Sequence, residues 1–581
     1  MEKEEKLDKV RHSLSHLMSM AVQELYPQVG LGVGPVIENG FYQDYDLPET
    51  ITPEILPKLE KRMREMIKEN IEFKQHNVDF NEAYKLYQHD PYKTELIDDL
   101  KVAGEKKVSF YKSGHFDNLC AGPHIGSTKE INPKAFMLDR IAGAYWRGDE
   151  KNKMLTRIYG LAFETKERLE ECVKMREEAE KRDHKKLGKE LDLFVFSELV
   201  GSGLPLWTPK GTILRNLLDD FVWELRQKRD YVKVEIPHIT KKELYEKSGH
   251  WDKFKNELFR ITTREGHEFA MKPMNCPHHI QIFDRKQWSY RELPQRYCNS
   301  TTCYRDEQSG ELSGLSRVRS FTQDDAHVFC RMAQVKEEFL KVWDIVQEFY
   351  KSFGFSMRVR LSMHDPEQPD KYLGDKALWK KAESVLKEIV ESKNIDWFEG
   401  IGEAAFYGPK LDFMAKDALS REWQVATIQL DMNLPERFDL TCVSEKGEKE
   451  RIVMLHAAIM GSIDRFLSIL IEHTAGNFPL WLSPVQVKVI PVRTNHNEYA
   501  KQISELLKEN NIRAELDDAE ANLGGKVRDA KNNKLPYWIV VGDKEIEAKK
   551  VTLESRDKGQ LGQMSKEELV KKILEEIRSK K

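Results

Sequence analysis

The run from Tyr304-Arg305-Asp306-Glu307, through a polar connection, to Arg317-Val-Arg-Ser-Phe-Thr-Gln323-Asp-Asp325-Ala-His327 constrains this chain more than any other stretch. Two strand-like arms, residues 297–304 and 317–329, flank a polar loop containing Gly310 and Gly314 and so read as a β-hairpin. Each arm carries an arginine near the loop, and Glu307 stands beside the first. Two forked guanidiniums on a rigid hairpin can grip a polyphosphate, because each offers planar, bidentate donors to phosphate oxygens. The plain alternative is a solvated hairpin with surface ion pairs.

A chain of 581 residues is expected to form three or four domains, at about 100–200 residues each. Hydrophobic residues make up 40% of it, enough for real cores, and a net charge of −4 gives no global signal for nucleic acid. A local basic surface would still bind RNA. No stretch approaches the ~18 uninterrupted apolar residues of a membrane span. The start, Met-Glu-Lys-Glu-Glu-Lys, lacks the apolar core of a secretory signal. Seven cysteines in so long a chain indicate a reducing, cytoplasmic setting, where a special cysteine acts as a ligand and not as a staple.

Residues 1–145 mix helices with short strands around a sharp Gly30-Leu-Gly-Val-Gly-Pro35 loop. Residues 164–189 read as one charge-dense, partly solvated connecting helix. Residues 190–480 hold the longest strand-like runs, ending at the proline-broken Asn477-Phe-Pro-Leu-Trp-Leu-Ser-Pro484. Beyond it strand and helix alternate: 485–492 and 537–541 are apolar strands and 498–510 an amphipathic helix. This predicts a small α/β domain with a largely parallel sheet. Residues 485–581 carry 20 Lys+Arg against 17 Asp+Glu, a balance of +3 that leans slightly toward RNA.

The hairpin closely resembles motif 2 of class II aminoacyl-tRNA synthetases, in the form of the threonyl-tRNA synthetase family. His456-Ala-Ala-Ile-Met-Gly-Ser462-Ile-Asp464-Arg465 looks like motif 3, and Gly211-Thr-Ile-Leu-Arg followed by Tyr231-Val-Lys-Val-Glu-Ile-Pro237 looks like motif 1. Met271-Lys-Pro-Met274-Asn-Cys276-Pro and Ala405-Phe-Tyr407-Gly-Pro-Lys410-Leu-Asp412 match the same family. The similarity runs in the family's order from about Val10 to the C-terminus. Motif 2 alone would indicate the class; Cys276, His327 and His456 together point to the threonine enzyme.

The resemblance implies an α+β multidomain protein: an editing domain over 1–160, a helical linker over 161–189, a class II catalytic domain with an antiparallel sheet over 190–482, and an α/β anticodon-binding domain over 483–581. It implies a homodimer through motif 1 and no membrane. His12 lies so near Met1 that the small domain preceding editing in many relatives is expected to be missing. The implied reaction is activation of L-threonine by ATP, with Mg2+, and transfer to tRNA(Thr).

Cys276, His327 and His456 are too far apart for spacing to mark a metal site, and a buried thiol with two satisfied histidines is the bland alternative. By resemblance they hold one Zn2+ per subunit, with open positions for the amino group and hydroxyl of threonine. Asp325 then accepts from that hydroxyl, while Gln323 and Tyr407 hold polar groups and Met274, Gln429 and Ser462 line the pocket. Arg305 contacts the α-phosphate and carboxylate, Arg317 and Arg465 the outer phosphates, and Glu307 the adenine amino group. Lys410 adds a cation near the carboxylate. The family's usual arginine after the last zinc histidine is here Ala457.

Arg11-His12-Ser-Leu-Ser-His16 sets two histidines at i and i+4 on one helix face, and Cys120-Ala-Gly-Pro-His124 adds a thiol and an imidazole. From residues alone this is a second zinc site, a hydrolytic site or a coincidence. By resemblance His12, His16, Cys120 and His124 form the editing site that hydrolyses mischarged seryl-tRNA(Thr). The family's aspartate two residues before the cysteine is here Asn118, with Asp117 beside it. Asn522, Lys526, Arg528 and Arg556 are the expected anticodon contacts. Two rival functions are a synthetase-like RNA-binding paralogue, which would have lost motif arginines or metal ligands, and a hydrolase built on His12 and His16. The second leaves most of the chain unexplained.

Overall fold

Leu7, Val10, Leu14, Leu17, Met18 and Ala21 recur at three- and four-residue spacing and are all buried, so Glu2–Leu25 is a helix with one apolar stripe. A computed structural model describes residues 2–580, which divide into two compact units between Glu177 and Glu178. In the first unit the stripe packs on an antiparallel sheet built from Gly30–Leu31, Gly40–Asp46, Met154–Ala162 and Phe136–Tyr145 in that order. Helix Leu56–Lys68 adds Leu59, Met63 and Met66 to the same core. A Cβ at Gly160 would overlap the ring of the fully buried Phe41, so this close approach requires glycine. A second antiparallel sheet orders Phe73–Val78, Val108–Ser113 and Phe116–Leu119.

The second unit is centred on an eight-stranded sheet. Its order is Val232–Lys233, Gln295–Tyr304, Ser320–Cys330, Val453–Ser462, Glu422–Asp431, Lys410–Lys416, Ser356–Met363, Trp397–Ile401. Only the two edge strands pair parallel; the six between them are antiparallel, as the class II resemblance implied. Helices Pro209–Gln227, Val335–Lys351 and Ile463–Thr474 cover it, burying Leu218, Phe339, Trp343, Phe349 and Leu467. The hairpin arms are Gln295–Tyr304 and Ser320–Cys330, in register from Gln295 opposite Phe329 to Tyr304 opposite Ser320. Arg317 therefore lies in the connection and not on the second arm.

Two other expectations are corrected. Residues 164–189 form two helices, Lys166–Arg182 and His184–Glu190, because the Asp183 side chain accepts from Lys185 N–H and caps a new start. The C-terminal sheet orders Ala514–Leu516, Val487–Pro491, Tyr537–Val541, Val551–Ser555 and Gly559–Met564, and only its first two ladders are parallel. The last two strands make a hairpin whose outer arm, Gly-Gln-Leu-Gly-Gln-Met, is too polar to read as a strand from its sequence. Among the described residues no helix is long and apolar enough to cross a membrane.

Candidate active site

Strand register assembles the cavity. On Ser320–Cys330, the residues Gln323, Asp325 and His327 alternate onto one face. They stand opposite Ser462, Ala458 and His456, with a bulge between Gln323 and Asp325, and Gln429 pairs with His456 from the other side. The result is a cavity of about 650 Å³. Its walls carry Met274, Cys276, Arg305, Glu307, Arg317, Gln323, Asp325, Tyr407, Gln429, His456, Ser462 and Arg465, all foreseen from the sequence. Phe321, Trp423 and Thr427 also line it and were not foreseen. Two expected residues do not line it. His327 is fully buried behind His456, and Lys410 points its ammonium at Asp412 Oδ2, 2.6 Å away.

One donor atom from each of Cys276, His327 and His456 lies within 4.8 Å of the others. His327 Nε2 faces His456 Nδ1 at 3.2 Å. The far ring nitrogens are also engaged: His327 Nδ1 is 2.8 Å from His279 Nδ1, and His456 Nε2 is 2.9 Å from Asp431 Oδ2. With His456 donating to Asp431 and His327 donating to His279, the two facing nitrogens present lone pairs to each other, a pairing that a cation between them satisfies. Burial, then His279 and His456, hold the His327 pKa well below the usual range, so its imidazole is in the neutral, ligating form. Burial, then Asp325 and Asp431, push the Cys276 thiol well up, so a thiolate there requires a bound cation. This donor set fits zinc.

His279, Asp431 and His250 were not anticipated. His279 sits one helical turn after Cys276 in Cys276–Phe283, a spacing that could have drawn attention to it. His250, fully buried, lies with Nε2 3.8 Å from Cys276 Sγ and Nδ1 2.8 Å from Ser248 Oγ. Neither it nor Asp431 has any local sequence signal.

The arginines converge on the other end of the cavity. The Arg305 guanidinium lies over Phe254 and Phe321, 5.5 and 5.2 Å from the ring centroids, and its buried Nε has no hydrogen-bond partner. Desolvation lowers the Arg465 pKa, and neither arginine has a carboxylate partner among the described residues. Arg317 instead pairs with Glu307 at 2.6 Å and Glu311 at 3.2 Å. Glu307, expected to meet an adenine, is here occupied by that arginine. Two partly desolvated, unpaired guanidiniums in one cavity favour an anion.

Comparison with known proteins fits this geometry. Residues 259–474 match the tRNA synthetase class II core domain (G, H, P, S and T), 486–576 an anticodon binding domain, and 108–159 the threonyl and alanyl tRNA synthetase second additional domain. A threonine–tRNA ligase of Deinococcus radiodurans is 49% identical over 554 residues, covering 94% of this chain and 85% of that one. The chain belongs to the threonine–tRNA ligase family. The ligase of Gloeobacter violaceus is 48% identical over 565 residues, covering 96% and 90%. Among solved structures, the RNA binding domain of threonyl-tRNA synthetase from Cryptosporidium parvum is 37% identical with a TM-score of 0.65, covering 68% of this chain and 98% of its own. A putative threonyl-tRNA synthetase from Aeropyrum pernix is 30% identical with a TM-score of 0.61, covering 69% and 96%.

The unit that carries this ligase family's second additional domain brings His12, His16, Cys120 and His124 together, with one donor atom of each within 4.8 Å of the others. His12 Nε2 and His124 Nε2 both stand 3.3 Å from Cys120 Sγ. Their Nδ1 atoms reach Pro123 O at 3.2 Å and Ser13 Oγ at 3.0 Å, while His16 Nδ1 is buried without a partner. Burial lowers all three imidazoles, His124 to about 2, and raises the Cys120 thiol. Lys93, unforeseen and buried, is pushed down to about 8. Asn118 is buried and accepts from Tyr87 Oη at 3.0 Å, whereas Asp117 pairs with His76 at 3.3 Å. Adjacent strand residues face opposite ways, so Asp117 does not stand in for it.

In the anticodon-binding match, two expected contacts are turned inward. Lys526 is buried and donates to Asp517 O at 2.8 Å, and Arg556 donates to the carbonyls of Phe478 and Lys534. Polar residues near a helix start served the fold instead of a surface. The Asn522 side chain accepts from Gly525 N–H as the cap of Leu523–Asn532, and Arg528 is exposed without an intramolecular partner among the described residues.

Proposed function

We propose that this chain is a cytoplasmic threonine–tRNA ligase that also removes serine from mischarged tRNA(Thr). The observation that carries the reading is the Cys276–His327–His456 cluster beside Asp325, in the same cavity as Arg305 and Arg465. In the first step a threonine carboxylate oxygen attacks the α-phosphorus of ATP; that P–O bond forms, the bond to the β-phosphate oxygen breaks, and pyrophosphate leaves. Arg305 neutralises charge on the α-phosphate, and Arg465 holds the outer phosphates together with Mg2+. Arg317 joins them by releasing Glu307, which is then free for the adenine amino group. Gln323 and Tyr407 orient the substrate, and Met274, Gln429 and Ser462 shape its pocket. Lys410 acts from outside the lining. In the second step a ribose hydroxyl of the terminal adenosine attacks the carbonyl and AMP leaves.

A zinc ion on the three ligands would supply Lewis-acidic positions for the amino group and hydroxyl of threonine. Valine has threonine's shape without the oxygen, so a site built for that oxygen rejects it far better than shape could. Serine keeps both groups and lacks one methyl, worth only about 10–200-fold, which gives the His12, His16, Cys120 and His124 cluster its role in hydrolysis. The domain limits proposed are 1–160 for editing, 161–189 for the linker, 190–482 for catalysis and 483–581 for the anticodon, with Asn522 and Arg528 as surface contacts. The homodimer is proposed through motif 1, where Val232 is exposed and where Phe196, Leu199, Leu206 and Ile239, before and after the motif in sequence, add further exposed apolar surface. Seven free thiols suit the cytoplasm.

Threonine-dependent exchange of pyrophosphate into ATP tests the reading, with metal analysis of the same sample. Cys276→Ala is expected to lose zinc and threonine activation together while the dimer survives. Full activation by a verified zinc-free enzyme refutes the role of the cluster.

A further inference from the structure

Lys272 is fully buried, an uncommon position for a lysine with no carboxylate in hydrogen-bonding reach. Its backbone N–H donates to His238 O and its carbonyl accepts from Tyr304 N–H, which fixes the residue against the end of the first hairpin arm, next to Arg305. The ammonium donates to Asn275 Oδ1 and Thr301 Oγ1, both at 2.9 Å. Asn275 is also fully buried, and its Nδ2 donates to Asp325 Oδ2 at 3.2 Å.

These contacts form a one-way chain. An ammonium has three donors and no acceptor, so the amide oxygen of Asn275 must face Lys272 and the amide nitrogen must face Asp325. Without the ammonium nothing so strong decides between the two amide orientations, and the flipped one would set an oxygen against the Asp325 carboxylate. With it, Oδ2 of Asp325 is occupied, and Oδ1 remains on the metal side, 3.9 Å from His327 Nε2. The carboxylate therefore has one oxygen tied down and one free to accept.

We propose that Lys272 and Asn275 are specificity-positioning residues: the buried ammonium locks the Asn275 amide, which holds Asp325 so that its free oxygen meets the substrate hydroxyl. This rests on the threonine reading of the cavity. Lys272 touches neither ATP nor amino acid and acts only through Asn275. Burial depresses the Lys272 pKa, a cost retained at a position whose neighbours offer only neutral oxygens.

Four variants of the full-length, zinc-loaded enzyme separate the possibilities. Lys272→Met removes the donors, and Lys272→Gln keeps an N–H for Asn275 without the charge. Asn275→Asp keeps Lys272 paired while replacing the donor that faces Asp325. Asp325→Asn tests the substrate reading itself. Lys272→Met and Asn275→Asp are expected to raise the threonine KM in pyrophosphate exchange, and the threonine Kd by calorimetry without ATP, by about ten- to a hundredfold, the scale of one buried polar partner lost. The ATP KM and zinc content stay unchanged, the preference for threonine over valine falls, and Lys272→Gln recovers most of the loss. If Asp325→Asn weakens threonine but both Lys272→Met and Asn275→Asp bind it normally, the relay is overturned and the substrate reading stands. Equal losses for ATP and threonine also overturn it. Unchanged threonine binding by Asp325→Asn refutes the substrate reading, and the relay with it. Should Lys272→Met fail to fold, Asn275→Asp alone decides.

Discussion

Single residues here are tuned by what surrounds them, and Lys93 gives the clearest case. It is buried beside the histidine–cysteine cluster, and desolvation brings its pKa from 10.5 to about 8. The unfolded chain therefore binds a proton that the folded chain has released between those values. Below pH 8 the cost of burying the ammonium is fully present, and stability rises as pH climbs from 8 toward 10.5. Between pH 7.5 and 9.5 this gain amounts to about 1–2 kcal/mol, and Lys93→Met should abolish it. Native-state proteolysis of the intact chain, scored on fragments from residues 2–177, measures it. Equal pH slopes in wild type and variant would mean that Lys93 keeps an ordinary pKa.

At the scale of elements, the connection between the hairpin arms is anchored by one histidine. His184 places Nδ1 2.6 Å from Glu472 Oε1, and its Nε2 accepts from Leu315 N–H at 3.0 Å, two residues before Arg317. Gly314 has φ +50°, and a Cβ on it would overlap His184 Nε2. Gly314→Ala should thus displace the Arg317 segment and raise the ATP KM by roughly ten- to a hundredfold, the cost of a small misplacement, while the threonine KM moves little. Steady-state kinetics with each substrate varied in turn checks this; an unchanged ATP KM removes the anchor from the account. The arms themselves were legible, because strand-like runs on both sides of a glycine-containing polar loop admit few other readings, although the second arm begins at Ser320 and not at Arg317. His184 was not, since its partners come from residues far away in sequence. Cys276, His327 and His456 lie on three elements, and only the resemblance joined them. Lys526 and Arg556 misled for the opposite reason: side chains with the chemistry of RNA contacts had been spent on Asp517, Phe478 and Lys534 inside the domain.

The whole molecule places two histidine–cysteine clusters in different compact units, each with its own core: His12, His16, Cys120 and His124 before the division at Glu177, and Cys276, His327 and His456 after it. If zinc selects by the amino group and hydroxyl, serine passes, and correction must come from a site that does not share those ligands. The wild-type enzyme is then expected to deacylate seryl-tRNA(Thr) much faster than threonyl-tRNA(Thr). His12→Ala and Cys120→Ala should abolish that hydrolysis and leave threonine-dependent pyrophosphate exchange at the wild-type rate. Cys276→Ala should do the reverse. Asn118→Asp probes the departure from the family pattern. Tyr87 Oη already donates to the Asn118 oxygen, and a carboxylate would accept that bond more strongly, which offsets part of the cost of burying its charge. If the family's aspartate matters to hydrolysis, the rate rises. Should the wild-type chain hydrolyse no seryl-tRNA and Asn118→Asp restore the activity, Asn118 has switched editing off in an otherwise intact site. If neither protein hydrolyses it, the four-residue cluster carries no editing chemistry, and the first unit serves the ligase in some other way.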